Sequence, residues 1–130
     1  MVDLPSTPPS GPQRKVSLRE QSISTIQAAI HSPADNGATL ARTNTCLALY
    51  FEPDPDDPDA RAAVREAFIR ALAHIPEWAM HNAFDDWQRT MTRRPSPGEI
   101  VILAERELQP FVREVADRQR AEAAAAEAAA

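Results

Sequence analysis

The stretch IPEWAMHNAFDDWQRTMTRRPSPGE, residues 75–99, decides the fold of this chain. Each of its ends is a helix start. Pro76 stands where a first helical residue needs no N–H to donate, so the spacing predicts a helix beginning there. Ser96, Pro97 and Glu99 combine a capping serine, a first-turn proline and an S-x-x-E box, which together satisfy the free amides of a second start. Between them Met80, Ala83, Phe84, Trp87 and Met91 recur at the three- and four-residue spacing of one apolar helical face. Asp85 and Arg89 stand at ion-pair spacing on another face. Arg89, Arg93 and Arg94 gather at the helix end, where positive charge complements the helix dipole.

Upstream, Asp57-Pro58 is a further cap-plus-proline start. The helix it opens runs to about His74, with Val64, Ala67, Phe68, Ala71, Leu72 and Ile75 as its apolar stripe. Before it, EPDPDDPD (residues 52–59) has too many prolines to be helical. Residues 38–51 carry Leu40, Leu47, Tyr50 and Phe51 at approximate helical spacing. The run LALYF also fits a short strand. Helix is preferred over 40–51 because no partner strand exists to satisfy a lone strand's backbone. Ser17 and Glu20 form another S-x-x-E box, opening a helix to about His31 that carries Leu18, Ile23, Ile26 and Ile30. Pro33 and Asn36-Gly37 then break the chain. Downstream, Ile100, Leu103, Ala104, Leu108, Phe111 and Val115 extend the last stripe. Pro110 falls inside it and predicts a kink or a break.

The expected fold is all-α, a small bundle of four to five helices. Residues 1–16 are Pro-rich and poor in large apolar groups, which predicts a disordered arm. Residues 17–118 form the helical domain, and 119–130 an Ala/Glu-rich helical tail.

The net charge of −5 argues against a protein that coats nucleic acid. Residues 60–94 are the net-basic block of the core, with six arginines against four acids. A single cysteine, Cys46, rules out an intrachain disulfide. With no signal-peptide or membrane-length apolar run, the expectation is a cytoplasmic protein without a membrane partner.

Little in the chain suggests catalysis. His31, His74 and His81 lack any zinc-ligand spacing. The acidic run at 52–59 lacks the central glycine and closing bidentate acid of a calcium loop. Asp85 and Asp86 are adjacent and point about 100° apart on a helix, so they cannot face one another as an acid pair. No phosphate loop or nucleophile elbow is present. The reading is of a non-enzyme with no cofactor and no metal.

Two binding readings remain. The fourth and fifth helices, joined by a short turn, have the outline of a helix-turn-helix, and Arg89, Arg93 and Arg94 could make weak nonspecific phosphate contacts. The second helix begins Pro97-Gly98-Glu99-Ile100, which offers no group that reads bases. A protein-binding surface is the other reading, centred on Trp78, Arg89, Arg93 and Arg94, residue types enriched at interfaces. Trp87 is expected in the core and Trp78 to be the more exposed tryptophan.

The order L-x-x-I-P-x-W (Leu72–Trp78), A-F-D-D-W (Ala83–Trp87) and R-R-P-S-P-G-E-I (Arg93–Ile100) resembles small phage and prophage replication proteins. Over residues 60–118 it is similar to the helicase loader/inhibitor group of tailed phages. That resemblance implies a small helical adaptor that binds a replicative helicase without hydrolysing ATP. The alternatives are a small DNA-binding packaging or regulatory protein, similar to a small terminase subunit, and a helical protein with a structural role. The oligomeric state is left open.

Overall fold

A computed structural model describes residues 17–53 and 55–130. The expected arm at 1–16 lies outside the described residues. A 3-10 turn, Leu18–Glu20, leads into five helices: α1 (Ile23–Ile30), α2 (Asn36–Leu47), α3 (Pro58–Ala71), α4 (Glu77–Thr90) and α5 (Pro97–Ala129). The fold is all-α, and among the described residues no strand forms. No described helix is long and apolar enough to cross a membrane.

Side chains at the N-termini set most of the helix boundaries. Asp57 accepts from the amide of Ala60 at 3.0 Å with Pro58 in the first turn, as its sequence indicates. At α5 the capping box is complete: Ser96 Oγ accepts from Glu99 N at 3.3 Å, and Glu99 Oε1 accepts from Ser96 N at 2.9 Å. Pro76 is the residue before α4 rather than its first, a shift of one position.

Two starts differ more. Ser17 does not cap α1, because its hydroxyl donates to Glu20 Oε2 and accepts from no backbone amide. The chain straightens at Gln21, and Ser22 caps the true start by accepting from Thr25 N at 3.1 Å. Arg118 of α5 is the reason. Its guanidinium donates to the carbonyls of Leu18, Arg19 and Gln21 at 2.7–3.1 Å, satisfying acceptors that a continuous helix would have used. At α2, Asn36 and Gly37 do not break the chain. They form the first turn of the helix, capped by Asp35, which accepts from Ala38 N at 2.7 Å.

The core lies where α4 packs on α5 and α2, with α3 closing it against α2 and α5. Phe68, Leu72, Ile75, Met80, Phe84 and Ile100 are fully or almost fully buried, as are Cys46 and Ala104. Trp87 is 5 % exposed and belongs to the same cluster. Trp78 is half-buried; its Nε1 donates to the carbonyl of Ala29 at 2.8 Å, and its ring meets Phe111 edge-on at 5.1 Å. Trp78 therefore closes the C-terminal end of α1, whose last carbonyls have no helical donor. Arg42 ties α2 to α4 by donating to Gln88 Oε1 at 2.8 Å and Asp85 Oδ1 at 2.6 Å, over the Phe84 ring. Asp85 thus pairs across helices, and Arg89 pairs with Asp86 instead.

α2 buries Leu47 as expected, but the rest of its buried face differs. Thr39, Thr43, Cys46 and Leu47 point inward, while Leu40 is exposed. The helix ends at Leu47, and the turn that follows leaves Phe51 outside the bundle. Ala67 of α3 is likewise exposed. α5 runs without a break through Pro110 to Ala129, 33 residues spanning about 50 Å at the usual helical rise. Pro110 and Arg106 are both exposed, so water can satisfy the carbonyl that proline leaves without a donor.

One buried group is poorly served. The hydroxyl of Thr43 is fully buried and has no hydrogen-bond partner among the described residues. Thr43→Val keeps the shape and removes the stranded hydroxyl. It is expected to stabilise the domain by about 1 kcal/mol and to raise Tm by roughly 4–8 °C in thermal unfolding. An unchanged or lower Tm would show that the hydroxyl is satisfied in solution.

Candidate functional site

The structure brings Arg93 and Arg94 to the end of α4 beside Arg89 but leaves Trp78 at the other end of that helix, and all four are engaged within the molecule. Arg93 lies over the Trp87 ring at 5.0 Å and forms a two-point pair with Glu99, at 3.0 and 2.5 Å. Trp87 Nε1 in turn donates to the Arg93 carbonyl at 2.7 Å. Arg94 is largely buried and reaches Glu52 at 3.8 Å. Arg89 is exposed and paired with Asp86. Trp78 is held by α1 and Phe111, as above. Arg89, Arg93 and Arg94 therefore build the α4–α5 corner, each with a carboxylate partner, whereas Trp78 lies at the other end of α4.

The Arg93–Glu99 pair has a consequence for pH. The Arg93 hydrogen bonds, followed by the Ser96 amide, hold the Glu99 carboxyl at about 2 against burial that opposes them, well below its ordinary 4.5. A carboxyl depressed in the folded state contributes stability above its unfolded value and loses it as pH falls through the folded one. The stabilisation from Glu99 is therefore complete above about pH 4.5 and disappears toward pH 2. In Glu99→Gln, which can still close the capping box, acid unfolding should lose this component between those values. An unchanged acid-unfolding profile would mean that Glu99 titrates normally.

A second feature was not legible in the sequence. The α2–α3 connection lies against the α4–α5 turn, pinned where Tyr50 Oη donates to the Met91 carbonyl at 3.2 Å. Between them opens a cleft of about 270 Å³. Its apolar walls come from Pro53, Ala60, Val64, Pro95 and Pro97, with Phe68 at the base. Glu52, Arg61 and Arg94 supply its charges.

Glu52 receives Arg61 at 2.9 Å, Arg65 at 3.2 Å and Arg94 at 3.8 Å. Burial opposes its ionisation, but the Arg65 hydrogen bond and the three guanidinium charges outweigh this and hold its carboxyl below the ordinary range. Among the described residues, three cations thus share one anion. The same two connections carry the apolar side chains that the bundle leaves out: Leu49 at 62 % exposure, Phe51 at 82 % and Met91 at 37 %. Sequence periodicity assigned Phe51 and Met91 to buried stripes. It could not register that the helices stop short of turning them inward.

Other possible sites are weaker. His74 pairs with Glu105 and His81 with Glu77, both near the surface. Among the described residues no group of three or more metal-ligating side chains could hold an ion. Cys46 is fully buried, and burial pushes its thiol up despite the opposing charges of Arg42 and Arg94, which makes it a poor nucleophile. Comparison with protein-family models, curated protein sequences and solved structures gives no match.

Proposed function

We propose that this protein is a non-enzymatic adaptor of phage or prophage DNA replication, acting in the cytoplasm by binding a replicative helicase. The helicase assignment rests on the resemblance of residues 60–118 to small helicase loader/inhibitor proteins. The observation that supports contact with a protein is the apolar cleft, together with Leu49, Phe51 and Met91 left exposed on the two connections that form it. An aromatic ring left 82 % exposed adds little to the bundle, and such side chains are what interfaces bury.

The DNA-binding alternative gains less support. Arg89, Arg93 and Arg94 are paired with Asp86, Glu99 and Glu52. Ile100, at the start of the would-be reading helix, is fully buried.

The test is direct association. The protein should form a stable complex with the helicase of its own phage or host, measured by calorimetry and size-exclusion chromatography. Phe51→Asp should weaken that complex roughly a hundredfold, the scale of a hot-spot residue, without lowering Tm. No complex at about 10 μM of each component would overturn the helicase reading. Retention of duplex DNA at low salt, lost with a log–log slope near −2.7 as salt rises, would favour the DNA-binding alternative with about three phosphate contacts.

A further inference from the structure

We infer that the cleft between α3 and the α4–α5 turn is a docking site for an acidic peptide segment carrying one bulky apolar residue. The apolar residue enters between Val64 and Pro95, above Phe68, and an adjacent carboxylate is received by Arg61, with Arg94 lending its charge from below. This rests on the adaptor reading in needing a protein partner, but not on that partner being a helicase.

Charge complementarity selects this occupant. The cleft walls are apolar, so a fully polar segment would lose its hydration there without compensation. Among the described residues the charged lining is Arg61 and Arg94 against Glu52, with Arg65 also on Glu52, so one carboxylate is shared by three guanidinium groups. Asp57 lies on the same connection, but its carboxylate is already bonded to the amide of Ala60. Arg61 is half-exposed and accessible, whereas Arg65 and Arg94 are largely covered and lend their charge from below. Guanidinium groups over an apolar floor favour a planar carboxylate next to an aliphatic or aromatic side chain, because they can donate to it through parallel N–H groups. A nucleic acid would match the charge but not the apolar walls.

The experiment uses a displayed library of random dodecapeptides selected on the full chain. Enriched peptides should share a Leu, Ile, Phe or Trp next to Asp or Glu. Added to isotope-labelled protein, such a peptide should shift the resonances of Val64, Phe68 and Ser96. Ala60→Trp, which fills the cleft, and Arg61→Ala, which removes its accessible cation, should each weaken binding roughly tenfold or more. If Arg61→Ala is less folded, Ala60→Trp decides.

Four results overturn the proposal: no enrichment, enrichment of peptides lacking acids, shifts confined to another face, and full affinity in Ala60→Trp. Any of these alongside intact helicase binding would move the contact elsewhere and leave the adaptor reading standing. Peptide binding without helicase binding would sustain the docking site and remove the helicase.

Discussion

Trp87→Ala is expected to lower the stability of the domain by about 3–5 kcal/mol, a large share of what a domain of this size has. Three losses add at this position. The indole is 5 % exposed and packs in the main cluster with Phe84 and Ile100, so truncation leaves a cavity that rigid helices refill poorly. Its N–H is the donor to the carbonyl of Arg93, which sits in a turn with no helical partner for it. Its ring also supports the Arg93 guanidinium, which pairs with the carboxylate closing the α5 capping box. Urea unfolding followed by circular dichroism reads the total, and Trp78 remains as a fluorescent reporter. Trp87→Phe separates the contributions: it keeps most of the packing and loses the donor, so about 1–2 kcal/mol is expected. A loss below about 1 kcal/mol in Trp87→Ala would mean that the corner is held without the indole.

The chain of contacts from Trp87 through Arg93 to Glu99 explains why this part of the fold was legible. Its decisive interactions join residues no more than about six positions apart, and cap chemistry acts over three. Asp57-Pro58 and Ser96-Pro97 therefore mark real boundaries, and the stripe of α4 puts Trp87 inside. Legibility fails where a distant residue competes. The Ser17–Glu20 box has the right letters, yet Arg118, about a hundred residues away, takes the carbonyls that would have continued the helix. Asp35 caps α2 unnoticed because Asn36-Gly37 resembles a break, although both residues fit a first helical turn. Phe51 follows the apolar spacing of α2, but the Tyr50 hydrogen bond to Met91 ends that register and turns the chain along the α4–α5 corner. The cleft is assembled from positions some forty residues apart, so no local pattern could reveal it.

The longest of these reaches supports the other large expected effect. Arg118→Ala should release the 3-10 turn and the first turn of α1 while leaving the α4–α5 core folded. The Arg118 guanidinium holds three backbone carbonyls and also donates to Glu114 at 2.7 Å, so the side chain is fixed in place before it captures the turn. Hydrogen bonds from a charged donor contribute about 1.5–3 kcal/mol, and of the three carbonyls Leu18 alone also accepts a backbone N–H, from Gln21 at 3.2 Å, among the described residues. The remaining ties of α1 lie toward its other end, where Ile26 and Ala29 are buried and Trp78 donates to the Ala29 carbonyl. The damage should therefore be graded along the segment. Amide exchange should accelerate roughly ten- to a hundredfold over residues 20–26 and much less in α4. Arg118→Lys tests the geometry itself. An ammonium on a flexible stem keeps the charge but not the planar fork that reaches three carbonyls together, so it should restore only part of the protection. Full protection in Arg118→Lys would reduce the clamp to a simple charge effect. Uniform acceleration across all five helices would mean that α1 is integral to the cooperative core rather than strapped onto it by one arginine.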